Sequence, residues 1–155
     1  MSLTERLRFF HEAIAWKGEI PLQSRYTVGV AGERFLRELR DNARLMATHC
    51  PQCDYTYMPP RLYCERCFAE LTEWVQVPPR GNIHAFTVMH LDLDEEPLAE
   101  PEIIAFVQLE GSDGGLIHRL KEVDPDEVYI GMPVGAVFRE EREGSILDIA
   151  YFRAI

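Results

Sequence analysis

No apolar run in this sequence approaches the ~20 residues that a helix needs to cross a bilayer. The N-terminus also lacks the unbroken apolar stretch of a signal peptide, because Leu3, Phe9 and Phe10 are interleaved with Glu5, Arg6, Arg8 and Glu12. Together these absences predict a cytoplasmic chain with no membrane partner. Cysteine is scarce, at four of 155 residues. In a reducing compartment four thiols favour metal binding over disulfides. There is no internal repeat and no low-complexity tract, and an apolar fraction of 46% excludes general disorder. The length fits one ordinary domain or two or three small ones sharing a surface.

Positive charge is missing where a nucleic-acid binder would need it. The net charge of −10 divides into +2 over residues 1–47, −1 over 48–80 and −11 over 81–155. Neutralising phosphates drives nucleic-acid affinity, so the C-terminal half carries the wrong sign for that partner. Catalytic motifs are missing too. His84, His90 and His118 fall on predicted strands with no Ser or Cys nucleophile at a recognisable motif, and read as satisfied or surface histidines. Asp92, Asp94, Glu95 and Glu96 lack the glycine-punctuated spacing of a calcium loop and read as solvated. Gly111–Gly115 fits a hairpin turn, not a phosphate-cradling loop. No catalytic residue is assigned.

What is present begins with helical periodicity. Ser2 and Glu5 have capping-box spacing, and Leu3, Leu7, Phe10 and Ile14 follow as one apolar stripe that ends near Gly18. That stripe needs a surface to cover it, either on a partner or within the chain. A second amphipathic stretch carries Phe35, Leu36 and Leu39, and Asp41-Asn42 reads as a turn. Beyond it the period shortens. Residues 44–49, 73–77, 82–90, 103–110, 116–120, 134–139 and 146–152 are short, rich in β-branched or aromatic residues, and bounded by Pro, Gly and Asp. Residues 91–102, acidic with two prolines, read as a loop. The chain is therefore mainly β with N-terminal helices, and its last 80 or so residues suggest a small barrel, with a compact sandwich as the competing arrangement.

The strongest motif is Cys50-Pro51-Gln52-Cys53, ten residues, then Cys64-Glu65-Arg66-Cys67. Two residues between cysteines make each pair a tight knuckle whose thiolates converge on one ion. Four thiolates in a tetrahedron suit structural zinc, and iron in a similar shell is the alternative. Catalytic zinc would need an open position that four thiolates do not leave. His49 is a neighbour of this site and not a ligand.

Around the knuckles stand Pro59-Pro60-Arg61, Glu73-Trp74-Val75, Gly81, Pro101 and Gly131-Met132-Pro133-Val134. With the cysteines, this combination resembles the family catalogued as domain of unknown function thirty-five, over residues 33–155 with 1–32 as an extension. The resemblance implies a rubredoxin-like zinc ribbon followed by an OB-fold, which divides the chain into a helical arm at 1–43, the ribbon at 44–72 and the OB-fold at 73–155. It implies an accessory or scaffold role beside thiolase-superfamily enzymes: thiolase, hydroxymethylglutaryl-CoA synthase, or thiolase-like side-chain aldolases. The reactive residue then belongs to the partner, and this chain contributes to acyl-CoA binding. Given the acidic barrel, Arg25, Arg34, Arg37, Arg40, Arg44 and Arg61 are the better partners for CoA phosphates. Leu3, Leu7, Phe10 and Ile14 would form the docking stripe. The rival reading is a nucleic-acid-binding module, a use to which ribbons and OB-folds are both put, and the charge opposes it.

Overall fold

Ala31, Phe35 and Leu39 recur every four residues and are buried along one face of a helix, α1 (Gly29–Asn42). They belong to the described part of the computed structural model, residues 26–92 and 94–155. The expected first helix, with Leu3, Leu7, Phe10 and Ile14, and Arg25 lie outside the described residues. Asp41 and Asn42 complete the last turn of α1 instead of forming a separate turn. The helix ends because Ala43 adopts a left-handed conformation, φ 50°, from which its N–H reaches the Leu39 carbonyl at 3.1 Å.

The chain then enters β1 (Leu45–Cys50), the centre of a three-stranded antiparallel sheet flanked by β2 (Tyr55–Tyr57) and β3 (Glu73–Val77). At three residues β2 is too short to stand out in the sequence. Next come β4 (Arg80–Leu91), β5 (Pro97–Leu109), β6 (Gly115–Leu120), β7 (Pro133–Phe138) and β8 (Ile149–Ala154). They close into a barrel in the order β4-β5-β6-β8-β7, with β4 returning to β7 at Gly81↔Val134. All neighbours are antiparallel except β6 and β8, which meet in parallel at Leu120↔Phe152. The expected barrel is therefore present and the sandwich is not. Among the described residues no helix is long and apolar enough to cross a membrane.

Two further segments differ from expectation. Residues 97–102, read as loop, belong to β5, and Leu91 pairs with Pro97 to form a two-stranded arm. Pro97 and Pro101 are tolerated because β5 meets β6 only from Ile103 onward, so the arm is an edge with no second ladder to break. The Asp92 carboxylate closes its tip by accepting the N–H groups of Asp94 at 2.8 Å and Glu96 at 2.9 Å. Residues 146–148 form a 3₁₀ turn ahead of β8, not its first residues. Ser145 and Asp148 make a reciprocal capping box, and Asp148 is buried while accepting N–H bonds from Glu143, Gly144 and Ser145. Burial alone would raise the Asp148 carboxyl, but those three donors bring it below the usual carboxylate range.

One core runs through all of this: Phe35 and Leu39 from α1, Leu45 and Val77 from the small sheet, and Ile83, Val107, Val134, Ile149 and Phe152 from the barrel. Truncating a fully buried member such as Leu39 to Ala would cost about 2–5 kcal/mol. Helix, ribbon sheet and barrel are thereby packed as one body. A smaller cluster of Cys50, Tyr57, Cys64 and Leu71 sits at the far end of the ribbon.

Candidate metal centre

β1 delivers Cys50 at its last residue, and the turn that follows carries Cys53 before the chain returns as β2. A second small hairpin, bridged at Tyr63↔Glu70, carries Cys64 and Cys67. Each knuckle is tightened by the residue after its second cysteine, Asp54 at φ 48° and Phe68 at φ 60°. The four sulfurs lie within 4.8 Å of one another, with Cys50 to Cys67 at 3.6 Å and Cys53 to Cys64 at 3.8 Å. A tetrahedron with zinc–sulfur bonds of ~2.3 Å places its sulfurs ~3.8 Å apart, so the donor set fits the ion.

The electrostatics also call for a cation. Hydrogen bonding with Cys67, then burial, pushes the Cys53 thiol up to about 12, and burial raises that of Cys50. Burial opposes ionisation of Cys64 as well, but the Tyr57 hydroxyl and the N–H groups of Cys67 and Arg66 outweigh it and bring this thiol to about 6. Four thiolates could share this volume only around a positive ion, whose binding would release their protons. Zinc held this way has a closed shell and serves the fold. His49 stands apart from the cluster: its Nδ1 lies 3.0 Å from the Thr56 hydroxyl.

Buried Thr48 braces the second hairpin by donating to the Arg61 carbonyl at 3.1 Å and accepting the Arg61 N–H at 3.0 Å. Sequence spacing gave no signal for this brace, nor for Tyr57, whose hydroxyl lies 3.2 Å from the Cys64 sulfur.

The arginines singled out in the sequence are engaged in different ways. Arg34 lies over the Trp74 ring at 4.2 Å, so Trp74 meets α1. Arg37 pairs with Glu33 at 3.5 Å and Arg40 with Asp41 at 2.7 Å, while Arg61 pairs with Glu65 and covers the Tyr57 ring. Arg34 and Arg44 have no carboxylate partner among the described residues. On the barrel, a groove of about 710 Å³ runs beside the arm, with Leu98, Pro101, Ile103 and Val123 in its wall and Lys121 at its rim.

The histidines are scattered. His84 meets Phe106 edge-on at 5.7 Å and His90 is exposed. His118 departs from the expectation of a satisfied or surface residue. Strand alternation turns it inward with Leu116 and Leu120, and at 7% exposure neither ring nitrogen has a hydrogen-bond partner among the described residues. Burial lowers its pKa.

Comparison with known proteins places these features in a group. The family model for the ChsH2 rubredoxin-like zinc ribbon matches residues 37–73, and that for the ChsH2 C-terminal OB-fold domain matches 74–139. A DUF35 domain-containing scaffold protein of Methanothermobacter thermautotrophicus is 30% identical over 111 residues, 71% of this chain and 83% of the relative. Its counterpart in Methanocaldococcus jannaschii is 28% identical over 111 residues, covering 71% and 78%. Among solved structures, the Ltp2-ChsH2(DUF35) aldolase aligns with a TM-score of 0.56 at 23% identity, over 79% of this chain and 93% of that one.

Proposed function

The chain belongs to the DUF35 family, and from that membership we propose that it is a non-catalytic scaffold subunit of a thiolase-superfamily enzyme that processes acyl-CoA. The observation that carries this reading is the closed four-sulfur cluster, within 4.8 Å throughout, which leaves a bound zinc no position for substrate. In this role Cys50, Cys53, Cys64 and Cys67 hold the ion, and the zinc supplies structure and no chemistry. The two archaeal relatives carry the name of scaffold proteins, and the aligned aldolase contains a DUF35 chain beside Ltp2.

Within the complex, the reactive residue belongs to the partner. Of the described candidates, Arg34 and Arg44 are the arginines best placed to meet CoA phosphates, because neither is committed to a carboxylate among the described residues; Arg37, Arg40 and Arg61 would first have to leave theirs. Leu3, Leu7, Phe10 and Ile14 supply a docking stripe for the partner.

The test is co-expression with a thiolase-like protein encoded beside this chain, followed by affinity capture and acyl-CoA assays. The pair should be captured together and turn over more substrate than the partner alone, while the isolated chain turns over none. Removing residues 1–18 should abolish capture with the melting temperature unchanged; a lowered melting temperature would instead make the stripe part of the chain's own core. Turnover by the isolated chain, lost on one point substitution outside the four cysteines, would overturn the proposal.

A further inference from the structure

Tyr57 is 3% exposed, and its hydroxyl faces two partners: the Cys64 sulfur at 3.2 Å and the Glu65 backbone nitrogen at 3.3 Å. The Glu65 amide can only donate, so it occupies a lone pair of the phenol oxygen. The single phenol proton is then left for the sulfur. We infer that Tyr57 is a positioning residue of the metal centre, donating its hydroxyl proton to the Cys64 thiolate and so fixing that ligand and damping its charge. This rests on the four cysteines holding a metal.

The surroundings keep the hydroxyl aimed. Tyr57 pairs with Thr48 across the ribbon sheet, and Thr48 holds both backbone groups of Arg61. The Arg61 guanidinium covers one side of the Tyr57 ring at 5.3 Å, and the Tyr55 ring packs at 4.7 Å between centroids. Cys64 also receives the Arg66 N–H at 3.4 Å, so this buried sulfur has a backbone donor beside the phenol. A thiolate supported in this way gives up less charge to the metal but is harder to protonate or displace. Tyr55, two residues earlier in the same strand, sends its hydroxyl to the Asp113 carbonyl at 3.3 Å and supplies a matched control.

The experiment compares zinc-loaded wild type with Tyr57→Phe and Tyr55→Phe. Transfer of zinc to a chromophoric chelator should be roughly 10-fold faster from Tyr57→Phe, the low end of what loss of such a ligand partner causes, and unchanged from Tyr55→Phe. In the cobalt-substituted proteins the sulfur-to-metal charge-transfer band should move to lower energy only in Tyr57→Phe, because the sulfur lone pair has lost its donor. In cadmium-113-loaded wild type, a scalar coupling between the metal and the Tyr57 hydroxyl proton should appear, a readout that needs no variant to fold. A chain that takes up no metal defeats the metal-centre reading itself. A chain that takes it up, yet shows no coupling and equal release rates, defeats the role of Tyr57 alone.

Discussion

Asp113, in the β5–β6 turn of the barrel, and Thr56, in the middle strand residue of β2, exchange hydrogen bonds in both directions. The Thr56 N–H donates to the Asp113 carboxylate at 2.8 Å, and the Asp113 N–H donates to the Thr56 carbonyl at 3.0 Å. Two positions along, the Gly115 N–H reaches the Met58 carbonyl at 3.1 Å. The barrel hairpin thus continues the edge of the ribbon, and Gly114 between these contacts has no room for a Cβ against the Met58 backbone. Asp113→Ala should cost about 1 kcal/mol, and Gly114→Ala about 1–3 kcal/mol because backbone must move. Equilibrium urea unfolding reads both; the zinc content of each variant should stay at the wild-type level. Gly114→Ala as stable as wild type would mean that the junction is not tightly packed.

The purified protein should hold close to one zinc per chain by elemental analysis. Metal binding in small ribbons contributes on the order of 10 kcal/mol to folding. Cys64→Ser should therefore lose the zinc and melt well below the wild type, and a strong chelator should have the same effect. A metal-free protein with an unaltered melting curve would refute the assignment.

His118 makes stability depend on pH in a defined direction. Burial holds its folded pKa below the ordinary 6.5, so the unfolded chain takes up a proton first as the pH falls. The stability it allows is complete above ~6.5 and is lost as pH drops from there through the lower folded value. His118→Leu removes that dependence and puts an apolar side chain in a buried position, and should be at least as stable as wild type at pH 7.5. The difference in urea midpoint between variant and wild type should stay flat above ~6.5 and widen below it. A difference that narrows on acidification would contradict the buried neutral histidine.

The chain should bind single-stranded DNA or RNA no better than an acidic control protein at ~150 mM salt, because its barrel half at −11 opposes the counterion-release contribution. Fluorescence anisotropy with labelled oligonucleotides measures this, and sub-micromolar binding would favour the nucleic-acid reading over the scaffold.

Local chemistry was readable in the residues themselves. Two Cys-x-x-Cys pairs ten residues apart mark two knuckles, the Phe35/Leu39 interval marks a buried helix face, and Gly111–Gly115 turns a hairpin, because each depends on neighbours only a few bonds away. The Ser145–Asp148 capping box was not read, because the β-rich residues 146–152 suggest a strand from its first position. Other features depended on which surfaces docked. Asp113 meets Thr56 across 57 residues, and the Arg142 guanidinium reaches the Arg40 carbonyl at the end of α1 across 102. The prolines of residues 97–102 signal a loop until the barrel leaves that edge without a second neighbour. His118 alternates like any strand residue, and only the closed barrel decides that its inward side is buried. Sequence by itself marked most of the elements and the four clustered cysteines, since these follow from spacing along the chain. Tertiary structure alone decided the partners of Tyr57 and Asp113 and the burial of His118, since a hydrogen bond needs two groups within about 3 Å and only packing brings distant residues that close.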